Sequence, residues 1–176
     1  MNEDLNSKQS NTHQERFSFR TVAILPILFF IPAVALYLIN PGLKIGHILG
    51  IIFHMLVIFV ISRLPTPQWA KAAGYCGIAL DITSGVMSLY NLPSDIALSL
   101  RLSAHLLSAM WFISASLLRK PLVIKILGVT EGLWIGLYTF FGSVLPITAL
   151  APASVISVVW YGVLAYKYPT TPQEGS

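Results

Sequence analysis

The sequence predicts an all-α membrane protein, a compact bundle of about six transmembrane helices, on three observations. Of 176 residues, 55% are hydrophobic and only 10% charged, too few polar side chains for an ordinary water-facing surface. The apolar residues fall into six runs near the ~20 residues needed to cross a ~30 Å hydrocarbon core, divided by Pro, Gly, Asn and basic clusters. Of 11 Lys and Arg, all but Lys44 and Arg101 fall on one side of a six-span path. That bias places the basic side, and with it both termini, in the cytoplasm.

The elements follow in order. Residues Met1–Glu15 are polar and are expected to be disordered, because they bury too little apolar surface to offset chain entropy. Arg16-Phe-Ser-Phe-Arg20 pairs cations with aromatics and suits the headgroup layer. No small-x-small cleavage pattern follows, so residues 1–20 are read as a retained polar tail with an interfacial end. The six spans are expected at Thr21–Ile39, Leu43–Ser62, Ala72–Leu92, Ile96–Leu118, Leu122–Phe141 and Ile147–Tyr166, making residues 21–166 one domain and residues 167–176 a short cytoplasmic tail. Pro26 and Pro32 should bend the first span, and Pro152 should open or kink the sixth. The turns at Asn40-Pro-Gly, Asn91–Asp95 and Gly142–Pro146 face outside, and connections this short leave no room for a soluble domain.

Charge and cysteine content narrow the classes further. The net charge of +4 is scattered at segment ends with no dense basic run, which argues against a nucleic-acid partner. A single cysteine, Cys76, inside an apolar segment excludes an intrachain disulfide, a Cys-x-x-Cys pair and a thiolate cluster. The expected partners are the lipid bilayer, together with a small solute, proton or ion, or a partner membrane subunit. A bacterial plasma membrane is the default location.

The candidate site lies in four ionisable residues near the midpoints of successive segments: His54, Asp81, His105 and Glu131. A charge at a helix centre costs roughly 2.5–3.5 kcal/mol on insertion scales, so such positions call for a partner or a task. Counting from each predicted midpoint puts all four at one level, where an antiparallel bundle would gather them into a shared polar centre. His47 shares a helix face with His54, with Gly50 between them, and Arg101 lies one turn from His105 with Ser108 and Ser116 continuing the stripe. The expected roles are an intramembrane ion or solute site at His54, Asp81, His105 and Glu131, with His47 and Arg101 at its entrance. The alternative is that the carboxylates bond histidines or serines simply to hold the bundle together.

Other chemistries fit less well. Two histidines at similar depth can serve as axial haem ligands or join a His/carboxylate metal set, but no attachment or metal motif accompanies them, so neither cofactor nor metal is assigned. Thr83-Ser84-Gly85 lacks the first glycine of intramembrane serine protease patterns, so a Ser84–His105 dyad is not favoured and no catalytic residue is named.

The small residues point to packing. Gly128, Gly132 and Gly136 form a row every four residues, with weaker versions at Gly46 and Gly50 and at Gly74 and Gly77. Packing inside the chain is the simpler use. A second functional class, an accessory subunit of a larger membrane complex, would instead use these rows for docking. Trp69, Tyr75, Tyr90, Trp160, Tyr166 and Tyr168 are expected as interfacial anchors. Trp134 and Tyr138 continue the face of Glu131, as pocket lining or packing. In size and span count alone, the chain resembles the substrate-binding subunits of vitamin transporters that couple energy through separate ATPases. It shares none of their local motifs, so no residue role transfers.

Overall fold

A computed structural model describes residues 18–167. The expected disordered tail, Arg16 and Phe17 of the interfacial stretch, and residues 168–176 with Tyr168 lie outside the described residues. The helices are α1 (Phe19–Ile39), α2 (Lys44–Arg63), α3 (Gln68–Leu89), α4 (Ser94–Leu117), α5 (Leu122–Phe141) and α6 (Ala151–Lys167), the last preceded by a 3-10 turn at Ile147–Leu150. Six helical spans, the sixth counted over Ile147–Lys167, are long and apolar enough to cross a membrane, and no strand occurs among the described residues. The chain is an all-helical, multi-pass membrane protein.

Proline sets most of the helix starts. Pro67, Pro93 and Pro121 stand immediately before α3, α4 and α5, and Pro146 before the 3-10 turn. A proline's fixed φ suits that position and its missing N–H costs nothing there. This is why α3 begins at Gln68 rather than at the expected Ala72: the first turn is nucleated at Pro67, and it carries Lys71, whose Nζ donates to the Ser62 carbonyl at 3.0 Å. A cation on the last carbonyls of α2 suits that helix end. Pro152 falls in the first turn of α6, so the expected sixth span splits into the 3-10 turn and the helix proper. Pro26 and Pro32 lie inside α1, which runs through both without a break. At the end of α3, Asn91 takes a left-handed φ of 52°, a conformation that asparagine tolerates better than most residues.

Each helix packs on the next along the chain, and α6 packs back on α1, so the six close into a ring in chain order. The tightest seams are α3 on α4 and α4 on α5. Small residues make them. A Cβ at Gly132 would stand 2.9 Å from the Ala109 carbonyl oxygen and one at Gly77 3.1 Å from that of Ala104, while a Cβ at Gly128 would overlap Ser116 Oγ. The strongest glycine row is therefore filled by α4 of the same chain. Gly74 admits the Trp111 ring and Gly85 the Ile51 side chain, each about 3.0 Å from a Cβ position. Gly46 is in ordinary contact with Leu36, whereas a Cβ at Gly50 would meet nothing within 4 Å.

Hydroxyl groups divide by the face they occupy. Those turned outward bond their own helix: Thr83 to the Ala79 carbonyl, Ser99 to Asp95, Ser103 to Ser99 and Ser114 to Met110, at 2.7–2.9 Å. With no water in the hydrocarbon, a back-bond to the preceding turn is the available acceptor. Two part-buried or buried hydroxyls reach across helices: Ser84 Oγ donates to the Ala97 carbonyl at 2.8 Å, and Thr139 Oγ1 lies 3.1 Å from the Leu102 carbonyl as well as 3.2 Å from that of Ile135 in its own helix.

Toward the end of the ring that carries Arg63, Arg119 and Lys167, the basic end, the interior is solid. The rings of Trp111, Phe112, Trp160 and Tyr161 pack edge to face with centroids 4.9–6.3 Å apart. This geometry is favoured by aromatic quadrupoles. Trp160 Nε1 donates to Ser116 Oγ at 3.1 Å. Trp160 was expected to anchor at the interface; it is instead fully buried at 0% exposure. Its position near the end of an apolar run does not reveal which face of α6 it occupies, and the α4–α5–α6 junction provides the acceptor that its indole N–H needs. Trp69, Tyr90 and Tyr166 do point outward.

Candidate functional site

Away from the basic end the ring is hollow. A cavity of about 240 Å³ is lined by side chains from all six helices and reaches the opposite end, where Tyr37, His47 and Arg101 are part-exposed. It stops against Ile61, Trp111 and Tyr161; beyond these, fully buried Ser116, Trp160 and Leu164 fill the ring.

His47, His54, Asp81, Arg101, His105 and Glu131 all line this cavity. At the mouth, Arg101 Nη1 donates to Tyr37 Oη at 3.1 Å with its guanidinium 5.9 Å from the ring centroid, and His47 meets the same ring edge-on at 5.8 Å. Further in, His54 Nε2 lies 3.4 Å from Asp81 Oδ2. The α3–α4 seam places Asp81 between Ser84, which bonds the Ala97 carbonyl, and Gly77, which meets Ala104, so Asp81 faces the stretch of α4 that holds Arg101. One turn along α4, His105 packs against Tyr138 at 6.0 Å.

Glu131 stands apart, which corrects the expectation of a single level. Tyr138, the partner of His105, is two turns from Glu131 along α5, so roughly 10 Å separates the two depths. The cause is stagger. Equal distance from each helix midpoint implies equal depth only when neighbouring helices are in register, and the glycine contacts set α5 against the basic-end half of α4. Glu131 is 3% exposed, and its Oε1 accepts a 2.6 Å hydrogen bond from Ser157 Oγ. Tyr161 lies one turn below Ser157 on the same face of α6, with its ring 6.3 Å from Phe112 and 6.4 Å from Phe53.

The polar groups are thus strung along the cavity in three tiers: Arg101, Tyr37 and His47; then His54, Asp81 and His105; then Glu131 and Ser157. Among the described residues, the buried side-chain polar atoms with no partner in the chain are His105 Nδ1, Trp111 Nε1 and Glu131 Oε2, and all three belong to residues that line this cavity. An unsatisfied buried donor or acceptor costs about 1–3 kcal/mol.

Sequence reasoning missed Ser157, Tyr161 and Trp111. A signal for Ser157 was present: a serine one turn before a tyrosine in an otherwise apolar span. Trp134 and Tyr138, considered as pocket lining, border a second, outer cleft with Ala149; Trp134 is 42% exposed there and donates to the Ala149 carbonyl at 2.9 Å, while Tyr138 is buried. Gly50 lines the cavity wall, and Ser108 lines it where it meets Gly77. Ser116 lies beyond it in the aromatic half. The Ser84 hydroxyl is buried and spent on the Ala97 carbonyl. No group of three or more His, Cys, Asp or Glu side chains converges as a metal site among the described residues.

No protein-family model matches the chain, nor does any curated protein or solved structure. The geometry carries the functional reading alone.

Proposed function

We propose that this chain binds a small solute or ion inside the membrane and serves as a transport-type protein, loaded from the end opposite the basic one. One observation carries the reading: the unpartnered buried polar atoms of Glu131, His105 and Trp111 all fall in residues around one cavity, which all six helices build and aromatic packing closes at one end. A mostly apolar cleft with a few convergent polar groups is the usual form of a small-molecule site. Ionisable groups at mid-membrane depth facing such a cavity mark substrate and ion pathways. With the basic end placed in the cytoplasm of a cell membrane, loading is from outside.

The test uses Gly50, which lines the cavity and where an added Cβ meets nothing within 4 Å. Melting temperatures of the purified full chain are compared with Gly50→Leu in the presence of ammonium, carboxylate, neutral organic, sodium and potassium probes. The expected result is a probe-induced rise in the wild type that Gly50→Leu removes while keeping the probe-free melting temperature. If no probe class produces a rise that Gly50→Leu removes, the solute-site reading fails. Flux of the stabilising probe into proteoliposomes, abolished by Glu131→Gln, then separates transport from binding alone.

A further inference from the structure

We infer that the occupant is a monovalent organic cation, an ammonium of about ten non-hydrogen atoms, held by Glu131 Oε2 above the rings of Phe53, Phe112 and Tyr161. This rests on the solute-site reading and assigns its ligand class.

Charge comes first. The cavity lining holds one guanidinium, Arg101, against two carboxyl groups, Asp81 and Glu131, so one carboxyl group has no cation of the lining to offset it when it ionises. Geometry locates it. Asp81 has His54 at 3.4 Å and faces the α4 stretch with Arg101, whereas Glu131 forms no ion pair among the described residues. The groups placed about Glu131 from the helices packed on α5 are uncharged: Ser157, which bonds it, with Tyr161 one turn on in α6, and Ile113 of α4 against the adjacent Gly132, while the nearest ionisable residue within α4, His105, is two turns toward the mouth. The Ser157 hydroxyl proton is already directed at Oε1, which leaves Oε2 as a buried acceptor with no hydrogen-bond partner among the described residues.

The surroundings of that oxygen select the kind of cation. Phe53, Phe112 and Tyr161 line the cavity, and both phenylalanines meet the Tyr161 ring at 6.3–6.4 Å. Aromatic faces beside a carboxylate attract an ammonium by both charge and ring quadrupole. Hard divalent cations take six to eight oxygen ligands, and here a single free carboxylate oxygen meets carbon-rich walls. Size agrees. A cavity of about 150 Å³ accommodates benzene, so about 240 Å³ takes a molecule of roughly ten non-hydrogen atoms.

The experiment titrates the full-length protein in detergent, by calorimetry, with phenethylammonium, 2-phenylethanol and phenylacetate, which share one aromatic body and differ in charge, and with sodium and potassium chloride. Saturable binding of phenethylammonium is expected, at least tenfold tighter than either organic analogue. Glu131→Gln should weaken it tenfold or more, and Phe112→Leu, which thins the aromatic packing and lowers the melting temperature, should weaken phenethylammonium threefold or more relative to 2-phenylethanol. Because Glu131→Gln can alter assembly, Phe112→Leu and the analogue series each stand as separate tests. Equal or tighter binding of phenylacetate or 2-phenylethanol, stabilisation by sodium or potassium alone, or an ammonium affinity indifferent to both substitutions overturns the assignment. If one of those other classes is the one whose binding Gly50→Leu removes, the cation assignment falls and the solute site stands; if no class binds in a Gly50-sensitive manner, both fall.

Discussion

The two halves of the helix ring use the same building blocks to opposite ends. In the basic-end half, Gly128 lies where a Cβ would overlap Ser116 Oγ and come within 2.6 Å of Trp160 Nε1, so its missing side chain is the space that another helix fills. In the other half, Gly50 lies where a Cβ would touch nothing, so its missing side chain is part of the cavity. Polar groups divide likewise: Trp160 Nε1 donates to Ser116 Oγ, while Glu131 Oε2 and His105 Nδ1 have no hydrogen-bond partner among the described residues. The difference teaches that a residue type in a membrane helix does not announce its purpose. A paired polar group and a filled glycine notch hold the structure; an open notch beside unpaired polar atoms leaves room for something else.

Substitutions in the two halves should therefore differ in what they damage. The largest expected effect is at Trp160→Ala, which removes a fully buried ring from the aromatic layer and should cost about 3–5 kcal/mol of stability, read by denaturant unfolding in bicelles. Retention of wild-type stability would show that the solid half is not solid. Next is Gly128→Ala, where one methyl group must displace Ser116 and Trp160; overpacking of this kind costs about 1–3 kcal/mol. A neutral Gly128→Ala would mean that α5 stands further from α4 than the glycine contacts require. Ser84→Ala should cost about 0.6 kcal/mol, the average for an interhelical hydrogen bond in a membrane, because its hydroxyl tethers α3 to the Ala97 carbonyl of α4. A loss well above ~2 kcal/mol would give Ser84 a larger task than tethering.

The smallest stability effect belongs to Gly50→Leu, expected within about 0.5 kcal/mol of wild type, since its Cβ has nothing within 4 Å and the residue borders the cavity. The comparison is sharpest here, because this substitution should abolish ligand response while Gly128→Ala, if it folds, should preserve it. The reverse pattern would move the binding region into the aromatic half.

Much of the architecture was legible in the sequence because hydrocarbon thickness imposes a strong constraint. Twenty apolar residues between breakers leave few readings other than a span, and the prolines at 93, 121 and 146 stand close before the expected starts, whereas the start after Pro67 was expected later, at Ala72. The face shared by His47, Gly50 and His54 was also legible, because it follows from helical periodicity within one segment. The relation between segments was not. The pairing of His54 with Asp81, the separation of Glu131 and the burial of Trp160 depend on how far each helix slides and turns against its neighbour.

By itself, then, the sequence determined the number of helices, their approximate ends and the residues too costly to place in lipid without a reason, since these depend on local composition and length. The tertiary structure decided which of those residues share a cavity, which glycines are notches and which are walls, and at what depth each polar group stands. Those are properties of the seams, set by side chains more than 20 residues apart in the chain interlocking at van der Waals distance, as Gly74 with Trp111 and Glu131 with Ser157.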